Sequence, residues 1–177
     1  MQKKNNRKKV TCVHKANVLR QTCGLFLSIF HEIAKQYPNI IAEDGIVDAT
    51  AMQIIKAPQS YDVIVTTNLF GDILSDEACM LVGGLGLAAS GNIGEKYSVF
   101  EPVHGSAPKY VGTNTANPLA AIMAAKMMLE HIGEMQAAKR IENAVIEIMK
   151  SNELTPDLGG KCTTNQVTDA IIRNMRN

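Results

Sequence analysis

The chain has 177 residues, 46% of them hydrophobic and 20% charged, with a formal net charge of +1. That balance suits a folded chain with room for a real core and gives no electrostatic reason to expect a nucleic acid or an anionic membrane as partner. No apolar run approaches bilayer-spanning length, and Cys12, Cys23, Cys79 and Cys162 show no paired zinc or redox spacing, so small buried thiols in a reducing, cytoplasmic compartment are expected.

The opening MQKKNNRKK carries five basic residues without the apolar core of a secretory signal, and reads as a solvated end. Residues 10–13, ahead of His14 and Lys15, read as a short buried strand. GLFLSIFHEIAKQYP has helical spacing and stops at Pro38. IIAEDGIVDA reads as extended and TAMQIIKAP as a short helix. YDVIVTTN, β-branched and apolar almost throughout, reads as a strand covered on both faces. Strands alternating with helices predict an α/β class with parallel strands. Glycines punctuate VGGLGLAASGNIG. Asn117 suits an N-cap, Pro118 a first turn and Gly133 a stop, framing PLAAIMAAKMMLEHI as a helix. Its Met127 and Met128 are expected to fill core rather than touch a cofactor. MQAAKRIENAVIEIMKS and QVTDAIIRNM read as amphipathic helices.

Chemistry concentrates in TNLFGDILSDEA. If this stretch is helical, Asp72 and Asp76 stand at i and i+4, offset by only about 40° around the axis. Adjacent carboxylates repel, and a divalent cation turns that repulsion into coordination. All-oxygen ligation suits magnesium or manganese. The pair also follows the C-terminal end of a strand, where open α/β sheets place ligands. The same acids, with Glu77, suit an ordinary helix start favoured by the dipole, so spacing alone leaves both readings open. The glycine run matches neither the Rossmann fingerprint nor the Walker pattern. HGSAPKYVG sets His104, Lys109 and Tyr110 among small residues, a loop that could face an anionic or aromatic ligand.

Taken together, HKANVLR, VDATAMQ, TTNLFGDILSDEA, VGGLGLAASGNIG, FEPVHGSAPKYVGTNTANP and TPDLGGKCTT resemble, in order, the metal-dependent β-decarboxylating dehydrogenases. These include isocitrate, homoisocitrate and 3-isopropylmalate dehydrogenases. The resemblance implies an isopropylmalate dehydrogenase-like α/β fold, of which only the C-terminal half is matched. Residues 1–82 would belong to a small dimer-forming domain and 83–177 to a large cofactor-binding domain. The family's substrate-clamping arginines and catalytic tyrosine have no counterpart, so an incomplete piece with exposed apolar edges, poor solubility and a need for an N-terminal half polypeptide is expected.

The implied reaction oxidises a small 2-hydroxy acid and decarboxylates the product, isocitrate to 2-oxoglutarate being favoured over isopropylmalate or homoisocitrate because His14 precedes Lys15. The resemblance assigns catalytic roles to Lys15 and Asp48. It assigns Mg2+ or Mn2+ ligation to Asp72 and Asp76 of one protomer and Asp48 of the other, in a homodimer with shared active sites. Asn17 would lie near the nicotinamide. Glu101, His104, Gly105, Ser106, Ala107, Lys109, Tyr110 and Asn117 would hold the cofactor. Lys109 and Tyr110 resemble 2′-phosphate-binding members, whereas Pro156 and Gly160 stand where NADP-specific relatives place tyrosine and arginine, which favours NAD over NADP. A noncatalytic dimerisation or regulatory fragment is the competing expectation.

Overall fold

Apolar strands alternating with amphipathic helices bury both surfaces most simply in a parallel sheet flanked by helices. In the computed structural model, which describes residues 7–176, the chain divides into two units, one ending at Leu81 and the other beginning at Val82. Residues 1–6, which carry part of the basic opening, lie outside the described residues.

The first unit holds β1 (Lys9–His14), α1 (Thr22–Ala34), β2 (Ile41–Ile46), α2 (Val47–Lys56), β3 (Val63–Thr66) and α3 (Asn68–Met80). Its sheet has the order β2-β1-β3 and is parallel throughout, with Val10 opposite both Ala42 and Val63. Side chains alternate across the pleat. Val13 packs with Ile54 and Leu74 on the face closed by α2 and α3. On the α1 side, Val10, Ala42 and Val65 line an apolar cavity of about 620 Å³ with Phe26, Phe30 and Ile33. Asp62 accepts the backbone N–H groups of Lys8 (3.0 Å) and Lys9 (3.1 Å), pinning the start of β1.

Two expectations change here. β3 is an edge strand of a three-stranded sheet, and Val65 is 37% exposed rather than covered on both faces. The stretch read as extended through Ala49 turns helical at Val47, so Asp48 occupies the first turn of α2.

The second unit contains β4 (Ala89–Ile93), β5 (Ser98–Pro102), α4 (Leu119–His131), α5 (Met135–Ser151) and α6 (Thr164–Arg176). Here the strand pair is antiparallel. Asn117 Oδ1 accepts the Leu119 N–H at 2.9 Å, and Gly133 ends the helix at φ +90°. Ala144 and Ile148 of α5 meet Val167, Ala170 and Ile171 of α6 in a core completed by Leu119 and Leu154. Small residues on α5 let the helices approach closely.

The loop after α5 is tight. Gly160 N–H donates to the Thr155 carbonyl (3.1 Å) and Cys162 N–H to the Leu154 carbonyl (2.9 Å). A Cβ at position 160 would fall 1.9 Å from the Leu154 oxygen, so Gly160→Ala must move backbone and is expected to cost roughly 3 kcal/mol. Gly105→Ala, whose Cβ meets nothing within 4 Å, stays within about 0.5 kcal/mol. The buried Thr155 hydroxyl has no hydrogen-bond partner among the described residues, and Thr155→Val is expected to gain about 1 kcal/mol. Urea midpoints at unchanged slope read all three.

Candidate active site

All three strands of the first unit point the same way, so their C-terminal ends form one edge, where open parallel sheets collect ligands. Lys15 follows β1, Asp48 is the second residue of α2 after β2, and α3 begins two residues beyond β3. Each placement has a local cause. Thr50 Oγ1 donates to the Ile46 carbonyl (3.1 Å) at the β2–α2 turn, and a Cβ on Gly45 would lie 3.0 Å from that hydroxyl. Gly71 lets the first turn of α3 close on β3, since its Cβ would lie 3.3 Å from Thr66 Cγ2.

Lys15 Nζ donates to Asp48 Oδ1 across the ends of β1 and β2. The hydrogen bond from this ammonium, aided by the Asp48 backbone N–H, holds the exposed Asp48 carboxyl below its ordinary range. Asp72 and Asp76 are exposed on α3 at the expected helical spacing, and neither carboxylate takes a hydrogen bond or ion pair among the described residues. No three acidic, histidine or cysteine side chains of this one chain converge as a metal cage among the described residues. The oxygen donors are therefore chemically right for magnesium or manganese, but a single chain does not assemble the set.

Asn17 is exposed in the turn after Lys15, whose carbonyl accepts N–H groups from Val18 (3.0 Å) and Leu19 (2.8 Å). Sequence reasoning passed over Asp44 and His31. Asp44 Oδ2 lies 3.1 Å from His14 Nε2, and its Oδ1 lies 3.5 Å from His31 Nε2. Only the β1–β2 register, which sets Asp44 against Cys12, brings that carboxylate to the histidine. Burial, then the charge of Asp44, pushes the Cys12 thiol up to about 11, so it stays neutral.

In the second unit the predicted cofactor residues begin with Glu101 in β5 and continue along the segment from His104 to Asn117. Glu101 Oε1 accepts from Asn92 Nδ2 on the neighbouring strand (3.1 Å). His104 Nδ1 lies 2.9 Å from the Gly105 carbonyl. A carbonyl can only accept, so Nδ1 carries a hydrogen. Gly105 and Ser106 are exposed. Ala107 adopts φ +41°, a left-handed conformation rare without glycine, and Lys109 Nζ stands 5.0 Å from the centre of the Tyr110 ring. Asn117 spends both ends of its amide internally, its Nδ2 donating to Asp157 Oδ2 at 2.9 Å. Gly86 makes room, since a Cβ there would lie within 2.9 Å of both groups. Thr164 at the start of α6 straps the loop through Ala116 O (2.6 Å) and Asn114 O (2.9 Å). Sequence reasoning missed Asp157, which carries no spacing signal.

Residues 1–171 match the sequence model of isocitrate/isopropylmalate dehydrogenase. The homoisocitrate dehydrogenase of Methanocaldococcus jannaschii is 56% identical over 98% of this chain and 50% of its own length. A mitochondrial regulatory subunit of the NAD-isocitrate dehydrogenase of Dictyostelium discoideum is 48% identical over 96% of this chain and 48% of its own length. The crystal structure of isocitrate dehydrogenase from Methylococcus capsulatus superposes with a TM-score of 0.97 at 55% identity, over 99% of this chain and 53% of that one. The chain thus spans about half the length of the curated relatives it matches.

The Lys15–Asp48 pair makes a direct prediction. In Lys15→Met the Asp48 carboxyl rises toward its ordinary value, read by carbon NMR titration of the side chain. A folded-state value below the unfolded one stabilises at neutral pH, and that contribution is lost as pH falls through the folded value. The acid-side loss therefore shrinks in the variant.

Proposed function

The chain belongs to the isocitrate/isopropylmalate dehydrogenase family, and on that premise we propose that it serves the oxidative decarboxylation of isocitrate to 2-oxoglutarate with NAD and a divalent cation. The observation that carries this reading is the sheet edge itself, where a lysine and an aspartate pair at the ends of β1 and β2 while two unengaged aspartates stand on α3. Asp72 and Asp76 would hold Mg2+ or Mn2+ with Asp48 of a second protomer. Exposed apolar side chains on both helices, Met52 and Ile55 of α2 and Leu69 and Ile73 of α3, support a homodimer built there.

A bound cation supplies positive charge where negative charge develops on substrate oxygens. Lys15 relays the hydroxyl proton, with Asp48 orienting its ammonium. In the second unit, His104 would lie by the adenine, where the Nε2 of a neutral ring would accept from the exocyclic amine. Position 160 supports NAD, because the loop excludes the side chain that would grasp a 2′-phosphate there. His14 before Lys15 supports isocitrate, with homoisocitrate or 3-isopropylmalate as the alternative acids. The carboxylate-clamping arginines and the tyrosine would come from an N-terminal half polypeptide. The likeness to a regulatory subunit favours a second reading, in which the chain assembles and binds without turnover.

Calorimetry on the assembly formed with an N-terminal half is expected to show Mg2+ or Mn2+ uptake that disappears in Asp72→Asn and Asp76→Asn. The same assembly should reduce NAD with isocitrate, and Lys15→Met should lower kcat by roughly 10²–10⁴. Binding with no NAD(P)H from any of the three acids would establish the regulatory reading instead.

A further inference from the structure

His14 closes β1 immediately before Lys15 and is 5% exposed. A buried imidazole has two nitrogens to satisfy, and what each meets fixes its proton. The Ala16 backbone N–H points at Nδ1 from 3.0 Å, so Nδ1 must be the unprotonated acceptor. On the other side Nε2 lies 3.1 Å from Asp44 Oδ2, so Nε2 carries the hydrogen and donates it to the carboxylate. Asp44 is itself held in register on β2 and has His31 of α1 at its other oxygen. The buried thiols of Cys12 and Cys23 lie on this side of the sheet as well, and Tyr37 lines the cavity between the sheet and α1.

The peptide unit that receives this hydrogen bond is the one joining Lys15 to Ala16. Its N–H is held by the His14 ring, and its carbonyl accepts from Val18 and Leu19 at the entry to α1. A peptide plane gripped at both ends fixes the backbone on the C-terminal side of Lys15. The lysine stem then leaves the strand in one direction, and its ammonium reaches Asp48.

We propose that His14, locked by Asp44 as the neutral Nε2–H tautomer, is a positioning residue that aims Lys15 at Asp48 and at the substrate hydroxyl. The substrate part rests on the dehydrogenase reading; the aiming of Lys15 at Asp48 does not. Ring orientation by a carboxylate partner is the same device that fixes metal-bound histidines and catalytic imidazoles.

The test separates the two parts. In the 177-residue chain, nitrogen NMR is expected to show His14 as a single Nε2–H tautomer, with a through-hydrogen-bond coupling between its Nδ1 and the Ala16 amide nitrogen. An Nδ1–H tautomer or an absent coupling overturns the proposal without any assay. His14→Phe fills the space but removes the acceptor, so the nuclear Overhauser contacts between the Lys15 side-chain methylenes and Asp48 should be lost. His14→Asn, whose side-chain oxygen can accept the N–H two residues on, should restore them. Unchanged Lys15–Asp48 contacts in His14→Phe sink the proposal. In the active assembly His14→Phe should lower kcat by about tenfold or more with little change in KM, and His14→Asn should recover most of it. A wild-type assembly without turnover would defeat the dehydrogenase reading, while the NMR outcomes would still decide the role of His14.

Discussion

The parallel register of β2, β1 and β3 is the constraint on which the first unit depends. Because all three strands run the same way, each one ends at the same edge and each is followed there by a turn into a helix. Lys15, Asp48 and the Asp72–Asp76 pair are far apart in sequence and are brought to that edge only by this topology. The central position of β1 makes the arrangement stiff, since residues 11–14 are buried and residues 10–13 pair with a strand on each side. Chemistry is thus carried on short turns anchored to a rigid strand, the arrangement that gives loop-borne groups a fixed geometry.

That unit leaves much apolar surface uncovered. Its buried core is small, centred on Val13, Ile54 and Leu74, while α2 and α3 expose large apolar side chains and α1 leaves a cavity against the sheet. Surfaces of this kind are characteristic of groups that are covered in an assembly. The proposed ion-binding donors share that property, because a single chain brings no three of them together among the described residues. The apolar exposure and the proposed metal ligation are both consistent with the homodimer proposed above.

The second unit solves a different problem, holding an exposed loop still. Its helices pack through alanines and branched side chains, and the loop from His104 to Asn117 is tied to them at Asn117 and Thr164. Asn117 illustrates the economy of the arrangement, since one side chain caps α4 and joins the Pro156–Leu158 turn through Asp157. The left-handed Ala107 shows the cost of the loop, a strained backbone retained within the segment proposed to face the cofactor.

Periodicity made most elements legible. The helix Met135–Ser151 coincides with the segment read from its apolar stripe, and Asn117 and Gly133 marked the limits of α4 because capping and positive φ are local demands. Asp72 and Asp76 were visible for the same reason, as a helix brings i and i+4 together by itself. Beyond such local rules, spacing failed. It misread the start of α2, where the turn after Gly45 depends on Thr50, and the coverage of β3, which depends on how many strands the sheet has. Asp44 and Asp157 gave no signal, since each acts on a residue at least 30 positions away. The sequence by itself determined the helical stripes, the caps and the acid pair, all set by interactions within a few residues. Only the tertiary structure decided that Lys15 meets Asp48 and that His14 meets Asp44, because those pairings exist through strand register, and register is a property of the folded sheet.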